Sequence, residues 1–222
     1  MRRLPLLVFV FVFVSSSFVA QTDNGCKLKF LGKDSARKAV KLRPTTKNYR
    51  KYNDGDPLSV KEFLNPLCFD VSKKVFKKVP TGAAMPIEEQ TITLHAFVLA
   101  MKHDDNDNDL HIQVGDKPKP FNQPQVIVEI PPTNKFCDAR TAMMNLFRAD
   151  GGQGDPKDYF FKNPPEVEIT GYLFLDSHHG LTCTGDGGRG IRKKVKGKPA
   201  PKRSPVRTTW ELHPVIRLVK TN

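Results

Sequence analysis

The chain has 222 residues, a formal net charge of +13 and 38% hydrophobic residues. Its four cysteines contain no Cys-x-x-Cys spacing, which excludes zinc-ribbon and thioredoxin-like readings. Its longest apolar run, about eleven residues, is too short for a bilayer helix of about twenty.

That run, Leu4 to Val14, follows Arg2 and Arg3 and precedes Ser15, Ser16 and Ser17. Charged, apolar and small-residue regions in this order predict a secretory signal peptide over residues 1–20, cleaved after Ser17 or Ala20. An uncleaved anchor is the alternative. With cleavage, the mature chain carries no transmembrane span and is secreted, periplasmic or otherwise extracytoplasmic. Export would place Cys26, Cys68, Cys137 and Cys183 in an oxidising compartment. Locality favours pairing Cys26 with Cys68 and Cys137 with Cys183.

The charge is segregated. Residues 21–87 carry 15 Lys and Arg against 6 Asp and Glu, residues 88–183 carry 8 against 15, and residues 184–222 carry 11 against 2. An acidic centre between two basic flanks implies either a polyanionic partner or internal neutralisation.

Residues 21–87 read as a basic, loop-rich extension. Within it, Ser59 and Glu62 have the spacing of a capping box for a short helix that Pro66 ends. The paired lysines between Ser72 and Pro86 suggest an edge strand, and Thr81, Gly82 and Pro86 suggest a linker. From Thr91 a period of two takes over. Ile92, Leu94, Ala96, Val98 and Ala100 define a first strand, and Leu110, Ile112 and Val114 a second, with Asp109, His111 and Gln113 on its other face. Gln125–Ile130 is a third strand with Glu129 turned outward. A helix follows, with Asp138 as its cap and Ala139, Met143, Leu146 and Phe147 as its apolar stripe. The fourth strand, Glu166 to Asp176, has Gly171 at a predicted bulge or bend, and the fifth runs from Thr209 to Val219. Three strands, a helix and two strands is the order of an OB-fold. The predicted fold is thus mainly β with one helix: a five-stranded OB-like barrel over residues 88–222, with a basic N-terminal extension and a long basic loop between strands four and five. An immunoglobulin-like sandwich needs about seven strands and no central helix.

In an OB-like barrel strand three lies between strands two and five, so His111, Glu129 and either Glu211 or His213 would face outward from adjacent strands. His178, His179 and Asp176, at the end of strand four, could approach the same edge. Imidazoles and carboxylates from separate segments are donors for a divalent metal, and also suit general acid–base work. The competing reading is an outer barrel face with cross-strand His–Glu pairs. The candidate metal set is His111, Glu129, His179, Glu211 and His213; no cofactor follows with certainty, and a divalent metal is the possible one. Asp105, Asp107 and Asp109 match the first EF-hand positions, but Leu110 and Asp116 break the pattern.

The ordered motifs Asp109-Leu110-His111, Glu129-Ile130-Pro131, Thr170-Gly171 with Asp176 and His179-Gly180, and Glu211-Leu212-His213-Pro214 resemble a family of small exported bacterial proteins of unknown function. The resemblance covers roughly residues 90–219. It implies an OB-like barrel in which His111, Glu129, Asp176, His179, Glu211 and His213 occupy the family's polar positions, and it implies no activity. Relatives of that pattern have a short neutral loop between strands four and five, where this chain has a long basic one.

That loop, residues 184–207, holds Arg189, Arg192, Lys193, Lys194, Lys196, Lys198, Lys202, Arg203 and Arg207, with Asp186 as its one acid. Such a cluster suits electrostatic binding of a polyanion, a nucleic acid or an acidic polysaccharide. The loop lacks the aromatic platforms that base recognition uses. A solvated cationic loop is the alternative. No convincing catalytic nucleophile is present, and the glycines from Gly185 to Gly190 precede no predicted helix that would make them a phosphate loop.

Overall fold

The structure, a computed structural model, describes residues 26, 35–43, 50–51, 56–67, 83–119, 123–176, 191 and 206–222. The signal segment, Cys68, Cys183, His178, His179 and the loop cations from Arg189 to Arg203 lie outside the described residues, as does most of the strand expected over residues 72–86. The described end of that stretch is no strand, since Pro86–Glu89 form a 3-10 turn.

The described elements are α1 (Ser35–Lys41), β1 (Arg50–Lys51), α2 (Val60–Leu67), β2 (Gln90–His103), β3 (Leu110–Gly115), β4 (Gln125–Ile130), α3 (Cys137–Ala149), β5 (Tyr159–Phe160), β6 (Glu166–Leu175) and β7 (Val206–Lys220). Strands β2, β3, β4, β7 and β6 pair in that order, and β6 pairs back onto β2 to close the barrel. The β4–β7 pairing is parallel and the other four are antiparallel. The predicted OB-like barrel is therefore the observed fold, with the helix between its third and fourth strands.

Alternating residues make this possible. Ile92, Leu94, Ile112, Val114, Val126, Val128, Val167, Ile169, Leu173, Trp210 and Leu212 are buried in one apolar cluster, to which α3 adds Ala139, Met143, Met144 and Phe147. Helix α3 starts at Cys137, so Asp138 lies in its first turn and is not its cap. Gly171 sits where the β6–β7 register shifts. A Cβ there would come within 2.9 Å of the Leu212 Cβ and 3.0 Å of the Pro214 carbonyl oxygen, so close approach of β7 selects glycine.

The extension is more ordered than its composition suggests. The capping box forms, with the Ser59 N–H donating to Glu62 Oε2 at 2.8 Å and the Glu62 N–H to Ser59 Oγ at 3.2 Å. Asp116, from the β3–β4 connection, also accepts from the N–H groups of Val60 and Lys61, and Phe63 enters the barrel's apolar cluster. Pro66 does not stop α2, which continues to Leu67. Helix α1 is an element that no periodicity announced. Its Arg37 pairs with the fully buried Glu88, whose carboxylate also accepts the N–H groups of Met85 and Leu175.

The expected cysteine pairing is overturned: Cys26 is bonded to Cys137, at the start of α3. Locality in sequence failed because the extension runs back across the barrel to reach α3, bringing together residues 111 apart.

Two outcomes follow. Glu88→Ala removes the acceptor shared by Arg37 and two backbone donors, and is expected to cost about 3–5 kcal/mol in urea unfolding, the range for breaking a buried ion pair; a loss under about 1 kcal/mol would contradict this anchoring role. Non-reducing peptide mapping should recover a Cys26–Cys137 peptide, and Cys26→Ser should lower stability by about 2–5 kcal/mol. Recovery of a Cys26–Cys68 peptide instead would refute the cross-chain tether.

Candidate functional site

The outward faces of β3, β4 and β7 carry the polar residues. Parallel register sets Ile127 beside Glu211 and Val128 beside Leu212, so Glu129 and His213 follow as neighbours, while antiparallel register sets His111 opposite Glu129. His111 Nδ1 meets Glu129 Oε1 at 2.7 Å, and His213 Nδ1 meets Glu129 Oε2 at 2.7 Å. Glu211 Oε1 lies 3.4 Å from the same His213 nitrogen. On the other side of the ring, His213 Nε2 comes within 3.1 Å of Asp109 Oδ2. That contact is an ion pair, and neither Asp109 oxygen nor His213 Nε2 has a further hydrogen-bond partner. One ligand atom each from Asp109, Glu129 and His213 lie within 4.8 Å of one another.

Of the expected metal set, Glu129 and His213 belong to that group of three, while His111 and Glu211 reach it only through their pairings with Glu129 and His213. His179 lies outside the described residues. Asp176 uses its N–H on the Thr209 carbonyl at the end of β6 and is not among the three residues with converging donors. Asp109, read from sequence as a residue on the His111 face of its strand and as an EF-hand match but not as a metal donor, belongs to the cluster. The alternation that pairs it with His111 on one face already carried that signal.

One expectation is corrected. Glu129 and its neighbours do not face solvent: Asp109, Glu211 and His213 are fully buried, and His111 and Glu129 nearly so. Helix α1 lies on this wall. Lys41 Nζ is 3.2 Å from Asp107 Oδ2 and 4.0 Å from Glu129 Oε2. Arg37 stacks over the Phe174 ring, which itself lies 5.3 Å from His213, and Lys41 approaches the same ring. Arg43 donates to the carbonyls of Leu173 and His213. Sequence reasoning missed Lys41, because a lysine some seventy residues before its partners leaves no local pattern.

Burial works against every charge here, and pairing decides which survive. Burial pushes Asp109 up to about 6, despite His213. Against burial, hydrogen bonds from His111 and His213 and the charge of Lys41 hold Glu129 well below the carboxylate range. Burial would also lower His213, but Asp109, Glu129 and Glu211 hold its imidazolium well above the ordinary histidine value. Lys41 is likewise raised, against burial, by Glu129, Glu211, Asp107 and Asp109. The cluster is thus a compact array of carboxylates paired with the His213 imidazolium and the Lys41 ammonium.

The acidic turn is closed by its own donors. Asp104 accepts the Asn106 N–H through its side chain and the Asn108 N–H through its carbonyl, Asp107 Oδ1 accepts the Asp109 N–H, and Asn108 takes a left-handed φ of 67°. Asp109 faces the His213 cluster, so the three EF-hand matches do not form one calcium loop. Compared with known proteins, the chain matches no family model and no curated protein. The resemblance to small exported bacterial proteins therefore stands on the ordered motifs alone.

His213→Gln leaves three buried carboxylates without their imidazolium, and is expected to cost about 3–5 kcal/mol near pH 7. A raised histidine contributes stability that is complete below its unfolded value and disappears as pH rises through its folded value. The gap between wild type and variant in urea unfolding should therefore narrow as pH rises above the ordinary histidine range. A gap that stays constant or widens would show that His213 carries no buried charge.

Proposed function

We propose that the protein is an exported OB-like binding protein that engages a polyanion, such as a nucleic acid, an acidic polysaccharide or an anionic surface, mainly by electrostatics through residues 184–207. What supports this reading is how the cations divide. The described cations of the extension that approach the barrel wall, Arg37, Lys41 and Arg43, turn inward onto Glu88, Asp107, Glu129 and backbone carbonyls, so the acidic centre already draws counter-charge from that side. The loop then adds eight Lys and Arg between Arg189 and Arg203, a clustering that an external anion would relieve. Its roots are firm: Leu175 pairs with Trp210, the Asp176 N–H donates to the Thr209 carbonyl, and Ile191 is buried. Arg207 belongs to β7 and not to the loop. In OB-folds this connection borders the ligand groove.

A second reading, metal-dependent hydrolysis of a phosphodiester-like substrate, is favoured by one observation, the convergence of Asp109, Glu129 and His213. The same residues are buried beneath α1, so a polymeric substrate would need that helix displaced.

Replacing residues 184–204 by a short neutral turn should leave the barrel folded and weaken retention on heparin and single-stranded DNA. The salt dependence should flatten by about 0.7–0.9 for each phosphate that the loop had neutralised. Unchanged retention with a lowered melting temperature would make the loop an internal neutraliser and overturn the binding reading.

A further inference from the structure

The buried cluster has donors that its own partners do not satisfy. Asp109 is fully buried, and its carboxylate has the ion pair to His213 Nε2 at 3.1 Å but no other polar partner. A buried carboxylate with so few partners is costly, and a 3.1 Å separation also matches two donors on adjacent corners of one cation's shell: metal–donor bonds of about 2.1 Å place such donors roughly 3.0–3.4 Å apart. Two carboxylates and one imidazole suit a borderline ion such as Zn²⁺ or Mn²⁺. Mg²⁺ and Ca²⁺ take oxygen ligands and have no use for His213.

A positive group already stands beside these donors. The Lys41 ammonium, on the last residue of α1, lies 4.0 Å from Glu129 Oε2 and 3.2 Å from Asp107 Oδ2, with most of its side chain buried. A divalent ion and an ammonium this close repel strongly where the surroundings are dry. The two charges therefore compete for the same carboxylates.

We propose that Asp109, Glu129 and His213 form a divalent-cation site and that Lys41 is its resident competitor, so that a cation binds as the ammonium is displaced and the His213 imidazolium releases its Nε2 proton to solvent. This inference rests on the metal reading of the cluster and adds to it the group that controls occupancy. Helix α1 is then a removable cover: Lys41 is its charge over the carboxylates, and Arg37 on Glu88 is the pairing that holds the helix down.

The test is calorimetric titration of the full mature chain with Zn²⁺ and with Mn²⁺, comparing wild type, Lys41→Met and Lys41→Met with Asp109→Asn. Met keeps the apolar stem and removes the charge. One of the two ions is expected to bind Lys41→Met at least about tenfold more tightly than wild type, and adding Asp109→Asn, which removes a direct ligand, should abolish at least that gain. If Lys41→Met takes up no more metal than the double variant, the cluster is not a cation site and both the inference and the metal reading fail. If wild type and Lys41→Met bind equally while Asp109→Asn abolishes binding, the metal reading stands and the competitor role is wrong. Should Lys41→Met fail to fold, the wild-type protein decides the competitor role: acylation of Lys41, followed by peptide mass spectrometry, should accelerate severalfold at saturating Mn²⁺. An unchanged rate would overturn displacement.

Discussion

The constraint on which this structure turns is the burial of His213 among Asp109, Glu129 and Glu211 on the outer wall of the barrel. Removing ions from water costs several kcal/mol each, and their mutual attraction offsets that only when the geometry is good. Here the imidazole ring spans the cluster, one nitrogen toward Glu129 and Glu211 and the other toward Asp109, while His111 and Lys41 meet the remaining Glu129 charge. The arrangement needs strands β3, β4 and β7 side by side, and the closed OB-like order supplies that adjacency.

The N-terminal extension follows from the same constraint. An acidic wall of this density would stay solvated if nothing cationic covered it. Arg37, Lys41 and Arg43 provide the cover, and each is partnered differently: Arg37 by Glu88 and the Phe174 ring, Lys41 by Asp107 and Glu129, Arg43 by two carbonyls and the Tyr172 ring. The Cys26–Cys137 bond then ties the start of the extension to α3. Internal neutralisation and polyanion binding are thus compatible in one chain, since Arg37, Lys41 and Arg43 serve the first while the loop after β6 is proposed for the second.

The same geometry sets apart two kinds of polar residue. Asp104, Asp116 and Asp150 accept backbone N–H groups and fix a turn, the start of α2 and the segment after α3, so their chemistry is spent on structure. Asp109 and His213 Nε2 have their mutual ion pair and no further hydrogen bond. That difference directs attention to the Asp109–His213 side of the cluster, although acids are just as dense in the turn.

The sequence by itself determined the barrel. Period-two alternation in Thr91–Lys102, Leu110–Val114, Gln125–Ile130 and the two C-terminal strands is a local property, because every side chain on a strand must face one side or the other. The same alternation placed His111, Glu129 and either Glu211 or His213 on one wall, and the capping spacing of Ser59 and Glu62 marked α2. Only the tertiary structure decided whether that wall was wet or dry, since polar residues at alternate positions read the same beneath solvent and beneath a helix. It also decided the partners of Lys41 and of Cys26. Long-range charge pairing and cross-linking depend on where the chain returns in space, and residues separated by such distances leave no periodic trace.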